Sequence, residues 1–217
     1  MSHLDKLEQN WSNIARSGEA AKHIRPSQSE EEYWESGAIT ARMFLELLPD
    51  MSDKVVLEFG CGNGRITKEL AKYIHLIYAV DISMDMLDAV EALNLANVIT
   101  HHSDCTTHDG RITTVDAIVT QCVLFHNIKA DIAKILTQFG RLICPNGSII
   151  IDQPIFEESA ETETHIGITT LTPAEFVSML EAANLYHVGP LPVNPGKFSY
   201  ENFGPNYSKL IVLKRKR

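Results

Sequence analysis

Val55–Ile66 reads VVLEFGCGNGRI. An apolar, β-branched run of strand length passes directly into Glu58, Gly60, Gly62 and Gly64, an acid followed by glycines at alternate positions. Without a Cβ, those glycines let the backbone turn sharply, adopt positive φ and come within contact distance of a ligand. Ordinary tight loops also gather glycine, so this spacing alone leaves both readings open. A second signal favours the ligand. Twenty-one residues after Gly60, the apolar stretch LIYAVD ends in Asp81. An acidic residue closing a second strand there can accept hydrogen bonds from both hydroxyls of a ribose.

Dinucleotide-binding oxidoreductases use Gly-x-Gly-x-x-Gly to bring a pyrophosphate to a helix N-terminus. Here Gly64 comes one residue early for that fingerprint. Glu58 would repel a pyrophosphate but suits an ammonium or sulfonium ligand. The acid-x-Gly-x-Gly-x-Gly pattern resembles the class I S-adenosylmethionine-dependent methyltransferases, and the likeness runs from about Val55 to the C-terminus. It implies a Rossmann-like, doubly wound α/β fold: a seven-stranded, mostly parallel sheet with helices on both faces. It also implies S-adenosylmethionine as cofactor, with Gly60–Gly64 under its methionine and ribose parts and Asp81 on the ribose. Asp104, in HHSDCT, matches the position that meets the adenine amino group. Carried over in this way, the cofactor-binding set is Glu58, Gly60, Cys61, Gly62, Gly64, Asp81, Ile82, Asp104, Cys105 and Gln121. DAIVTQCVLFHN, Asp116–Asn127, matches the fourth strand and the segment bordering the methyl group, so Gln121 to His126 would line the reaction site. CPNGSIII, Cys144–Ile151, resembles the Pro-x-Gly turn into the fifth strand, with Asn146 where many relatives have a second glycine.

The periodicities agree with that fold. Short apolar runs at Val55–Phe59, Leu76–Val80, Val98–His101, Ala117–Gln121, Ser148–Asp152, Leu185–Val188 and Lys209–Lys214 predict strands. Between them Met86, Leu87 and Val90 recur at helical spacing, as do Ile128, Ile132, Ile135, Leu136 and Phe139. Thr172, Pro173 and Glu175 combine a capping box with proline at the first helical position, ahead of Phe176, Val177 and Leu180. Gln153–Leu171 and Gly189–Tyr207 have no regular period and are expected to be loops, the first shaping a substrate pocket beyond the strand ends.

Ahead of the sheet, Leu4, Leu7, Trp11 and Ile14 fall on one face of a first helix. Ser29 and Glu32 form a capping box for a second, which would carry Trp34, Ala38, Ala41, Leu45 and Leu48 on its apolar side and end at Pro49. Residues 1–50 are thus a helical extension, either a lid or plain packing, and residues 51–217 the S-adenosylmethionine-binding methyltransferase domain. Tyr33 and Trp34 could present aromatic faces to a cation or simply pack.

With 217 residues and 44% hydrophobic content, the chain can bury one full α/β core. A formal net charge of −9 repels polyanions, which disfavours nucleic acid as a partner. The terminal Lys-Arg-Lys-Arg run is read as a solubilising tail. No apolar h-region or membrane-length run occurs, so a cytoplasmic location is expected. The four cysteines, Cys61, Cys105, Cys122 and Cys144, lack metal-ligand spacing and are expected to be reduced thiols, and no metal is expected.

Methyl transfer from a sulfonium is an in-line displacement in which the protein mainly sets direction and distance. A protonated nucleophile needs a base. His126 is the titratable side chain in the methyl-bordering segment and the candidate general base, a structural role being the alternative. His23, His165 and His187 are weaker candidates. TQCVLFHN lacks both the Asn/Asp-Pro-Pro-aromatic motif of base-directed relatives and the Pro-Cys motif of the cytosine C5 enzymes. A small-molecule acceptor methylated on oxygen or nitrogen is therefore expected. A protein side chain as acceptor, or a non-catalytic cofactor-binding scaffold, is the competing reading.

Overall fold

A computed structural model of the protein describes residues 2–18, 20–21, 28–162, 167–198 and 209–216. His23 and His165 lie outside the described residues. The contacts gather into two compact units, Met1–Asp104 and Cys105–Arg217.

The first unit contains α1 (His3–Arg16), α2 (Glu30–Leu47), β1 (Val55–Phe59), α3 (Thr67–Leu70), β2 (Leu76–Asp81), α4 (Met84–Glu91) and β3 (Val98–His102). β1 runs parallel to β2 from Val55↔Leu76 to Phe59↔Val80, and β2 parallel to β3 from Ile77↔Val98 to Asp81↔His102. Val56, Leu57, Ile77, Ala79 and Val80 are fully buried, as near-continuous apolar strands of a covered parallel sheet should be. Ser2 with Asp5 and Ser29 with Glu32 close reciprocal capping boxes on α1 and α2. α1 packs on α4, and α2 on α3.

The buried face of α2 keeps Ala41 and Leu48 of the predicted set and departs from it at Trp34, Ala38 and Leu45. Tyr33, Gly37, Thr40, Ala41, Phe44 and Leu48 are buried, whereas Trp34, Ala38 and Leu45 are half-buried. At those three positions burial shifts to the preceding residue, and one of these, Gly37, admits the backbone of Arg65: a Cβ at Gly37 would stand 2.2 Å from the Arg65 carbonyl oxygen.

The second unit contains β4 (Val115–Val119), a 3-10 turn (Leu124–His126), α5 (Lys129–Leu142), β5 (Ile143–Asp152), β6 (Ile155–Glu158), β7 (Ala160–Glu161) and β8 (Thr169–Thr170). It continues through α6 (Pro173–Ala182), β9 (Leu185–Val188), β10 (Val193–Lys197) and β11 (Leu210–Arg215). β4 runs parallel to β5, while β11 lies antiparallel between β5 and β9. β1 to β5, β9 and β11 are the seven strands of one mostly parallel sheet. Every predicted strand is present.

β5 starts earlier than Ser148, and its register with β4 shifts between Val115 and Ala117. Gly147 fits this irregularity because a Cβ there would lie 2.7 Å from the Asp116 carbonyl oxygen. Asn146 is absent from the left-handed residues, so no second glycine is needed at that position.

Two stretches expected to be loops carry strands. β6 pairs in parallel with β10, from Val193↔Ile155 to Lys197↔Glu158, and β7 pairs antiparallel with β8. These strands are short, and β10 reads VNPGK. Neither length nor alternation marks them in the sequence. They form because Phe156 and Phe198 pack edge to face at 6.0 Å within a cluster that includes Phe125 and Ile168.

Candidate cofactor cradle and reaction segment

The cradle is assembled in the first unit where β1 and β2 end. Gly60, Gly62 and Gly64 have φ of 71°, 54° and 84°. The Gly60 and Cys61 N–H groups both donate to the Val80 carbonyl, at 2.7 and 3.0 Å, and the Gly64 N–H donates to the Cys61 carbonyl at 3.1 Å. Asp81 completes the fastening: Oδ2 accepts the Gly62 N–H and Oδ1 accepts the Ser83 N–H, each at 2.9 Å. A carboxylate offers about four acceptor positions, so these two bonds leave capacity for a ligand. Burial raises the Asp81 pKa, opposed by the N–H groups of Ser83, Gly62 and Ile82.

The glycines serve different ends. A Cβ at Gly64 would lie 2.7 Å from Leu93 Cδ1, so glycine there answers to packing as well as to φ. A Cβ at Gly62 would meet nothing within 4 Å, so that position combines a left-handed backbone with open space.

Glu58 is 3% exposed, and its Oε2 has no hydrogen-bond partner among the described residues. Burial pushes its carboxyl up to about 7, with the Thr67 hydroxyl and the Arg65 charge opposing and Asp81 adding to the rise. A buried acceptor without a donor is costly unless a ligand supplies one. An orphaned carboxylate oxygen, open space at Gly62 and spare capacity on Asp81 fit a ligand with an ammonium, a sulfonium and ribose hydroxyls. Cys61 is a different case: burial raises its thiol well above the ordinary range, with Asp81 and Glu58 reinforcing the effect, so it is a protonated, inert packing group.

Ile82 follows β2 and accepts a hydrogen bond from His102 Nε2 at 2.7 Å through its carbonyl. Asp104 is half-buried just beyond β3. Cys105, the first residue of the second unit, is buried at φ 53°.

The second unit holds the candidate reaction segment. Gln121 is half-buried after β4. Cys122 takes φ 59°, and its N–H donates to Asp152 Oδ1 at 2.7 Å, which ties the segment to the carboxyl end of β5. Asn127 closes the 3-10 turn by donating to the Val123 and Leu124 carbonyls. His126 Nδ1 lies 3.0 Å from the Gly167 carbonyl oxygen, and Phe125 packs at 4.4 Å from its ring. A carbonyl can only accept, so Nδ1 carries a proton. His187, on β9, bonds the Gly189 carbonyl and does not join this group.

The sequence reading missed Asp152 and Gln153. Both are almost fully buried; Gln153 Nε2 donates to the Thr169 carbonyl at 2.9 Å, and its Oε1 has no partner among the described residues. The available signal was an acid and an amide ending the apolar run SIIIDQ at a strand's carboxyl end. The four cysteines are unbridged thiols, and among the described residues no cluster could hold a metal. A groove of about 720 Å³ near Leu48, Met51, Tyr73 and Ile74 shares no residue with the cradle.

Residues 56–147 match a family model described as a methyltransferase domain. A phosphoethanolamine N-methyltransferase of Triticum aestivum is 26% identical over 179 residues, which is 72% of this chain and 35% of that protein. The first curated relatives are matched over only 25% to 35% of their own length. Among solved structures, a SAM-dependent methyltransferase from Leishmania major is similar with a TM-score of 0.72 at 17% identity, covering 99% of this chain and 82% of that one. The DhpI–SAH complex has a TM-score of 0.67 at 18% identity, covering 100% of this chain and 99% of that one. Residues 56–147 carry a methyltransferase domain, and the chain shares its fold with solved S-adenosylmethionine-dependent methyltransferases.

Proposed function

We propose that the chain is an enzyme that transfers the methyl group of S-adenosylmethionine to nitrogen or oxygen of a small polar acceptor. The observation that carries the reading is Glu58 Oε2, buried and without a partner, at the foot of a loop whose central glycine leaves open space. S-adenosylmethionine, when bound, supplies an electrophilic methyl on a sulfonium. Glu58 holds the cationic part of the ligand, Asp81 holds the ribose while keeping Gly62 and Ser83 in place, and Asp104 meets the adenine amino group. Gly60, Cys61, Gly64, Ile82, Cys105 and Gln121 complete the lining.

His126 takes the acceptor's proton on Nε2, since its Nδ1–H is engaged by Gly167. Asp152 acts through Cys122, holding the turn that carries His126. The name of the wheat relative supports a small amino-alcohol phosphate as the first acceptor to try. The negative net charge supports a metabolite over nucleic acid. The reading includes a cytoplasmic location; among the described residues no helix is long and apolar enough to cross a membrane.

The test is calorimetric titration with S-adenosylhomocysteine, with NAD as control, followed by a labelled-methyl assay on phosphoethanolamine, other small amines and alcohols, and a protein fraction. Asp81→Ala should weaken S-adenosylhomocysteine binding by roughly 1.5 to 3 kcal/mol, the range for hydrogen bonds to a charged group. Binding of NAD in its place, or no binding at all, rejects the proposal. Binding without transfer to any acceptor would favour a scaffold, and transfer only to protein would move the acceptor class.

A further inference from the structure

The N-terminal helices reach the cradle through specific side chains. Tyr33 of α2, 1% exposed, donates its hydroxyl to Asn63 Oδ1 at 2.7 Å, inside the glycine loop. Arg65 Nη1 donates to Ser36 Oγ at 2.9 Å, and its guanidinium carbon lies 5.4 Å from the centre of the Tyr33 ring. One turn on, Lys68 Nζ lies 5.1 Å from the centre of the Trp34 ring. Gly37 sits between these contacts at the point where α2 touches the Arg65 backbone. On the Asp81 side, Ser12 of α1 pairs with the Ser83 hydroxyl at 2.9 Å, and Arg16 forms a bidentate pair with Asp85.

We propose that Tyr33 is a positioning residue for the cofactor. Through Asn63, and with Gly37 allowing the approach, it holds the Gly62–Arg65 part of the loop in its ligand-ready conformation. α2 therefore acts as a fixed support of the loop and not as a lid. The inference rests on the cofactor reading above. Its physical reason is entropic. A loop with glycines at 60, 62 and 64 has much backbone freedom to lose, and a ligand that finds it already ordered binds more tightly. The one hydrogen bond that fastens this loop to α2 from a side chain of the helix's buried face is Tyr33 to Asn63 among those given above.

The experiment compares wild type, Tyr33→Phe, Asn63→Ala and the double variant by calorimetry with S-adenosylhomocysteine, and by amide hydrogen exchange without it. Tyr33→Phe should raise Kd about three- to ten-fold, as loss of one neutral hydrogen bond does. It should also speed exchange at Gly62, Asn63 and Gly64 while leaving the β1 and β2 amides protected. The double variant should be no weaker than Asn63→Ala alone. If turnover is found, KM for the cofactor should rise with kcat at saturation unchanged. Wild-type affinity in Tyr33→Phe, faster exchange spread evenly over the fold, or additive effects in the double variant would overturn the proposal. Gly37→Ala should act in the same direction more strongly, and Tyr33→Phe decides if that variant does not fold. Absence of binding by wild type would sink the cofactor reading itself, and the exchange pattern would still decide whether Tyr33 orders the loop.

Discussion

On the proposed reading, Glu58 and His126 are side chains whose protonation bears on cofactor binding and methyl transfer. Glu58 is a buried acid whose folded pKa of about 7 lies above the ordinary 4.5. Its contribution to stability is therefore fully present below pH 4.5 and is lost as pH rises through about 7, because the folded state retains a proton that the unfolded chain has released. In urea unfolding without ligand, the stability of wild type minus that of Glu58→Gln should decline between pH 5 and 8. A difference that stays flat would show that Glu58 is ionised throughout. A ligand cation beside Glu58 favours the charged form, so S-adenosylhomocysteine binding near neutral pH should release protons, seen as a buffer-dependent calorimetric heat that Glu58→Gln abolishes. For His126, the hydrogen bond to Gly167 predicts a base acting through Nε2. His126→Gln should keep cofactor affinity, lower the methyl-transfer rate about 10²- to 10⁴-fold and remove the acidic limb of its pH profile; an unchanged profile would assign His126 a structural role.

At the scale of elements, α6 shows how local chemistry and tertiary contacts share a residue. Thr172 and Glu175 close the capping box, with Thr172 N–H donating to Glu175 Oε2 at 2.8 Å. Glu175 Oε1 also accepts from Lys129 Nζ at 2.7 Å, and Lys129 reaches Ser159 Oγ at 2.9 Å. The N-termini of α5 and α6 and the connection between β6 and β7 are thereby pinned at one point. Burial raises the Glu175 carboxyl, but the Lys129 ammonium and the Thr172 N–H and hydroxyl outweigh it and hold it at about 2. Thr172→Ala should lower stability by about 1 kcal/mol in chemical denaturation. Glu175→Gln should cost stability at neutral pH, and its deficit should shrink as pH falls from 4.5 towards 2, where the wild-type carboxylate is protonated as well. A deficit that persists below pH 2 would show that the ion pair is not the cause. The capping box was legible in the sequence because its partners are three residues apart; Lys129 and Ser159 were not, being 46 and 16 residues from Glu175.

For the whole molecule, the cofactor should act as a stabiliser, because only the folded chain forms the cradle. At a hundredfold excess over Kd, S-adenosylhomocysteine should add about 2.7 kcal/mol and raise Tm by roughly 5 to 10 °C for a chain of this size. Asp81→Ala should lose most of that shift at the same concentration; an equal shift in the variant would place the ligand elsewhere. In the first unit the cradle lies beyond the carboxyl ends of β1 and β2, and in the second Gln121 to His126 follow the carboxyl end of β4. Within the first unit, the N-terminal helices are bonded to the glycine loop and to Ser83.

The seven sheet strands, the start of every capped helix named from its sequence and the glycine loop itself could be read from the chain alone. Each depends on residues within a few positions of one another: alternation or apolar runs in strands, Ser or Thr three residues ahead of an acid, and glycine where φ is positive. Tertiary structure alone decided that Tyr33, Gly37 and Phe44 belong to the buried face of α2, the pairing of β6 with β10, the tie between Cys122 and Asp152, and the bond from His126 Nδ1 to Gly167. Those features are contacts between residues thirty or more positions apart, or, at Gly37, a close approach of one backbone to another. Such contacts leave no period in the sequence, because the partner that settles them comes into place only when the chain has folded.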